Sequence, residues 1–160
     1  MNPLERWSLH LAALATALTG LGYGWTRYFG QRMGEFGPEP HPLQALCQHA
    51  HVLAGPLLVF ALGMMVKGHV LPALQKDVSR ARRSGIGLAI LLAPLILSGY
   101  GVQIAVDPRW RQILAWIHGP LAILFLLAYA THAALNWARA LRTRPREGMM
   151  ETQSSRSSVG

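Results

Sequence analysis

Charge is scarce in this chain: Asp, Glu, Lys and Arg make up 14% of its 160 residues, where soluble globular domains carry about a quarter. They are missing altogether from four windows, 7–25, 50–66, 86–106 and 113–137. Each window is near the roughly 17 to 25 residues needed to cross the hydrocarbon core of a bilayer. With half of the residues hydrophobic and gathered into those runs, an ordinary soluble domain is excluded. Cysteine is almost absent as well. Cys47 stands alone, so no intramolecular disulfide can form, and no C-x-x-C-H motif exists for covalent haem attachment. The windows also lack carboxylates. That counts against a zinc site, which draws four ligands from Cys, His and carboxylate, and against a proton relay or transporter, which generally employs Asp or Glu.

What charge there is runs to a net +8, and its placement is topological. With four spans and the N-terminus inside, Arg6, the Lys67–Arg83 connection and the segment after Trp137 put eleven of the fifteen basic residues on the inner side. Arg27, Arg32, Arg109 and Arg111 remain outside, diluted by Glu35, Glu39 and Asp107. This is the positive-inside pattern. It accounts for the basic excess without nucleic acid and places both termini in the cytoplasm. The first window has some features of a cleaved leader, with Arg6 before it and "ATA" at 15–17. His10 interrupts the apolar stretch, however, and the stretch continues to Trp25, so it reads as a retained span.

The connections follow from glycine and proline. "FGQRMGEFGPEPHP" after the first helix reads as an outer loop. A second helix should start at Pro42 or Leu43 and kink at Pro56. "LQKDVSRARRSG" forms a short basic inner loop, and "DPRWRQ" a brief outer one. The expected fold is an all-α integral membrane four-helix bundle over residues 1–140, with 141–160 as a disordered cytoplasmic tail. A weak internal echo links "TGLGYG" with "SGYG", and "GPLLVFALG" with "GPLAILFLLA". The echo suggests two helix pairs as counterparts, although the histidines do not superpose when the Gly-Pro pairs are aligned.

The seven histidines carry the chemistry. His41 lies between prolines in the outer loop. His49 and His51 point about 160° apart on one helix, so only one can face the bundle centre; His51 opens the apolar run and is the better candidate. In "HGPLAILFLLAYATH", His118 and His132 are fourteen residues apart. Fourteen helical steps return to within roughly 40° of the starting direction after about 21 Å of rise. One face of one helix therefore offers imidazoles at two depths. Buried ionisable groups in a membrane usually face the bundle interior and act there. His51 shares the outer level with His118, while His10 and His69 lie near the inner level of His132. Two levels with at least two histidines each suit two stacked haems, since haem iron needs one axial ligand from each face and a four-helix bundle can hold the disc. Gly20, Gly22, Gly24, Gly99 and Gly101 would clear room for a flat porphyrin, or simply allow close helix packing.

"RWSLHLAALATALTGLGYG", "QHAHVLAGPLLVFALG", "SGYG" and "HGPLAILFLLAYATH" together resemble the bacterial di-haem cytochrome b family, which includes membrane subunits of nickel-iron hydrogenases and formate dehydrogenases. The likeness covers about residues 5 to 140. It implies an outer haem held by His51 and His118 and an inner one held by His10 and His132. It also implies two non-covalent b-type haems, exchange with the quinone pool, and an extracytoplasmic partner such as a c-type cytochrome, an iron-sulfur protein or a hydrogenase-like subunit. The chain departs from the family pattern at His69, eighteen residues after His51 and on the same face of an ideal helix. His69 is an alternative to His10 opposite His132, although Lys67 suggests that it has already reached the headgroups. It could instead contact a haem propionate or a quinone.

The expected function is transmembrane electron transfer by an electron-transfer subunit of an oxidoreductase complex, with residues 30–42 and "DPRWRQ" as a docking surface. The rival readings are a colourless scaffold or assembly protein with structural histidines, and a transporter or proton channel.

Overall fold

A computed structural model describes residues 2–72 and 80–143. The chain divides into two compact units, Met1–Asp77 and Val78–Gly160, and each is built on an antiparallel pair of helices. Residues 144–160 of the expected tail and the middle of the expected inner loop lie outside the described residues.

In the first unit, α1 spans Pro3–Tyr28. Its start is set by a capping box: Asn2 Oδ1 accepts the Leu4 N–H, the Asn2 N–H donates to Glu5 Oε2, and Pro3 occupies the first helical turn. α2 spans Gln44–Met65 and stays helical through Pro56. The two helices meet along a seam that includes the buried Leu9, Ala13, Ala54, Ala61 and Met65. Small residues let the backbones approach closely. Near the middle of the seam the Thr16 hydroxyl lies 2.8 Å from the Ala12 carbonyl and 3.1 Å from the Ala54 carbonyl across it.

The outer connection has more structure than a plain loop. Arg32–Gly34 (β1) and Gly37–Glu39 (β2) form a small antiparallel ribbon, with Arg32 opposite Glu39. Gly37, at φ +116°, takes the turn conformation that side-chain-bearing residues avoid. His41 accepts the Leu43 N–H at Nδ1, 3.1 Å, and meets Trp25 edge to face, so it shapes the entry to α2.

In the second unit, α3 spans Arg80–Ile104 and α4 spans Pro108–Thr143. Asp107 Oδ1 accepts the Arg109 N–H at 2.7 Å and opens α4. Arg111 closes α3 by donating from Nε and Nη2 to the Ala105 carbonyl at 3.1 and 2.8 Å. α4 continues past residue 140, where a tail was expected.

Three helical segments are long and apolar enough to cross a membrane: Gln44–Gly68, Gly85–Ile104 and Pro108–Arg139. α1, the first of the four expected spans, has the length but is not among them. The cause is its seam: Ser8, Thr16, Thr19 and three glycines dilute the leucines of the opposite face. On that opposite face Leu4, Trp7, Leu11, Leu14, Leu18, Leu21 and Trp25 form an unbroken exposed stripe at alternating steps of three and four.

α2 ends in a π-helical turn, Val66–Val70. Each residue of such a turn advances by less than the α-helical 100°. The eighteen-residue equivalence between His51 and His69 assumed an unbroken α-helix, so the backbone at His69 is rotated off the face of His51.

Candidate functional site: matched imidazole seats

Where α2 crosses Gly20 of α1, the Cε1 corner of the His51 ring comes close to the neighbouring backbone. A Cβ built on Gly20 would sit 2.7 Å from His51 Cε1, closer than side chains tolerate. Only glycine admits the ring there. His51 Nδ1 is 3.1 Å from the Thr16 carbonyl oxygen and 3.4 Å from Thr19 Oγ1. A carbonyl can only accept, so Nδ1 carries the proton. The Thr19 hydroxyl spends its own proton on the Ala15 carbonyl at 2.7 Å and receives the imidazole N–H on a lone pair. The tautomer is thereby set, with the ring's acceptor lone pair on Nε2.

The second unit repeats this arrangement. A Cβ on Gly99 of α3 would lie 2.9 Å from His118 Cε1. His118 Nδ1 donates to the Leu95 carbonyl at 3.1 Å and to Ser98 Oγ at 3.2 Å. Ser98 in turn donates to the Leu95 carbonyl at 3.0 Å and is buried, 4% exposed. In both units the accepting carbonyl is four residues before the glycine and the hydroxyl one residue before it. One turn before each histidine the correspondence persists: a Cβ on Gly22 would lie 3.4 Å from Cys47 Sγ, and one on Gly101 3.0 Å from Leu114 Cδ1. Both rings are half-buried.

Four of the five glycines lie where paired helices pack closely, one of the two uses expected of them. Gly20 and Gly99 make room for imidazoles, Gly22 and Gly101 for the side chain one turn earlier, and Gly24 has nothing within 4 Å. Thr16, Thr19, Leu95 and Ser98 were missed as functional positions. The signal was present in T-G-x-G at 19–22 and S-G-x-G at 98–101. The counterparts align on His51 and His118, not on the Gly-Pro pairs.

The inner-level residues are placed differently. His132 is half-buried, its Cε1 is 3.9 Å from a Cβ built on Gly85, and its Nε2 accepts from Asn136 Nδ2 at 3.0 Å. His10 is exposed on α1, ten residues before Gly20 and so about 15 Å along the helix. His69 lies in the π turn. His49 is exposed, and Cys47 lies in the α1–α2 seam without a disulfide. His51 and His118 lie on different units, as do His10 and His132.

Among the described residues no three His, Cys, Asp or Glu gather as a metal-binding group; two-ligand haem coordination needs no such group. The chemistry of His51 and His118 fits axial ligation. Metal-ligating histidines generally donate their other ring N–H to a carbonyl or similar acceptor, which fixes the ring and raises its basicity. No family model, curated protein or solved structure matches the chain.

Proposed function

We propose that this protein is a b-type membrane cytochrome that carries electrons across the bilayer, between the quinone pool and an extracytoplasmic redox partner. The observation that carries the reading is the pair of equivalent imidazole seats. Two histidines on separate helical hairpins are each pressed into a glycine gap, each with Nδ1–H held by a carbonyl and a hydroxyl. A colourless scaffold would need no such matched tautomer control, whereas axial ligands do.

His51 and His118 hold the outer haem, one from each hairpin; His132 and His10 hold the inner one. The groups supply reversible one-electron storage when bound. The protein would contribute neutral imidazoles, those of His51 and His118 held by a carbonyl and a hydroxyl, and two histidines to each haem would leave no open position for a substrate. The chain is an electron conduit, a subunit in a larger oxidoreductase.

All four helices span the membrane in this reading. α1 joins the three more apolar helices because its outward stripe bears Trp7 near one end and Trp25 near the other, eighteen residues apart. That is about 27 Å along a helix, close to the roughly 30 Å hydrocarbon thickness, with tryptophans at both boundaries. In this reading both termini lie in the cytoplasm of a bacterial inner membrane, which the distribution of basic residues supports as to side. The ribbon at 32–39, with Met33 and Phe36 exposed, then projects outside toward the partner.

The test is a reduced-minus-oxidised absorption spectrum of the purified full chain, with haem quantified per polypeptide. Two b-type haems are expected. A protein produced with ample haem that stays colourless overturns the proposal.

A further inference from the structure

The facing of a glycine and a histidine seen at Gly20 and Gly99 occurs a third time. α3 carries S-G-I-G at 84–87, fourteen residues before S-G-Y-G at 98–101. α4 carries His132 fourteen residues after His118. In an antiparallel pair, a step back along one helix meets an equal step forward along the other. Gly85 should therefore face His132 as Gly99 faces His118, and it does. The His132 atom nearest a Cβ on Gly85 is Cε1, the same ring corner that approaches Gly20 and Gly99 most closely. The next turn agrees too. Where Cys47 and Leu114 fill the space over Gly22 and Gly101, the position before His132 holds the smaller Ala128, and nothing lies within 4 Å of Gly87.

We infer that Gly85 is a positioning residue for the inner haem, its bare backbone giving the His132 ring its place beside α3. This rests on His132 being an axial ligand. The matching steps of fourteen on the two helices bring a residue with no side chain opposite His132, so the ring can lie close to α3. The inner seat is looser than the outer ones: 3.9 Å at Gly85 against 2.9 Å at Gly99 and 2.7 Å at Gly20. A methyl group fits at Gly85 without displacement. A branched side chain does not, and would push the ring away from α3.

The experiment is a size series in the full chain, Gly85→Ala, Gly85→Val and Gly85→Leu, with Gly87→Ala as control. Haem is quantified per chain, and the inner-haem signal is assigned by its loss in His132→Ala. Wild type, Gly85→Ala and Gly87→Ala should each hold two haems. The inner signal should fall through Val to Leu, ending near half the total haem, while the outer signal stays constant and reports an intact fold. Full inner occupancy with an unmoved midpoint potential in Val and Leu overturns the inference. So does a parallel fall of both signals along the series. A wild-type protein that binds no haem overturns the proposed function itself.

Discussion

Asn136 stands one turn beyond His132 on α4 and donates from Nδ2 to His132 Nε2 at 3.0 Å. His51 and His118 have their fixed contacts at Nδ1; this bond of His132 uses the nitrogen that a metal would take. Loading the inner haem through Nε2 must break this hydrogen bond. Such a bond contributes about 0.5–1.5 kcal/mol net. Asn136→Ala should therefore tighten inner-haem binding by roughly two- to tenfold, measured by haem titration of the apoprotein with the outer site already filled.

Substituting the outer-seat glycines should act against the grain of helix propensity. Alanine favours a helix over glycine by about 0.8–1.0 kcal/mol. Yet at Gly20 and Gly99 its Cβ would stand 2.7 and 2.9 Å from an imidazole carbon. Gly20→Ala and Gly99→Ala should lose outer haem, while Gly24→Ala and Gly55→Ala, with nothing within 4 Å, should keep it and melt no lower. Haem content and thermal unfolding monitored by circular dichroism separate the two classes.

Removing one hydroxyl acceptor should tune the outer haem without emptying it. In Thr19→Val and Ser98→Ala the carbonyls of Thr16 and Leu95 still hold Nδ1–H. The imidazole then becomes a somewhat weaker donor to ferric iron. The outer midpoint potential should rise by on the order of tens of millivolts, as read by redox titration.

Topology is checked with reporters. A fusion at Gly160 should report cytoplasm, and one inserted near Glu35, at the tip of the outer ribbon, should report the exterior. The reverse result exchanges inner and outer labels throughout.

His10 and His69 are separated by substitution. His10→Ala should remove the inner haem, while His69→Ala leaves both bound and at most shifts a potential. The π turn at Val66–Val70 takes His69 out of register with His51. Loss of the inner haem in His69→Ala alone would assign the ligand to α2 instead.

The helices were legible because long uncharged runs admit little else, and the His118–His132 step was legible because it depends only on helical periodicity. The hydrophobic windows gave no account of the ends. The capping box at Asn2 and Glu5 and the Asp107 cap extend α1 and α4 beyond their apolar runs, since caps act through polar atoms. The ribbon at 32–39 was hidden within a composition that reads as loop. The seats were hidden for another reason. The Gly-Pro pairs drew attention in the internal echo, but the repeated relationship joins residues of two facing helices, and no single run displays it. The π turn left no sequence signal beyond Gly68.

The carbonyls of Thr16 and Leu95 lie inside continuous helices, where each also serves the ladder four residues on. The imidazole shares the oxygen's remaining acceptor capacity with the neighbouring hydroxyl, so a seat needs no break, bulge or insertion in the helix that provides it. A hydroxyl followed by glycine on one helix and a histidine on the next suffice. Such a unit is portable: it can be copied along a helix, moved by whole turns, or grafted onto a bundle of unrelated sequence, provided the two helices run close enough for glycine to matter.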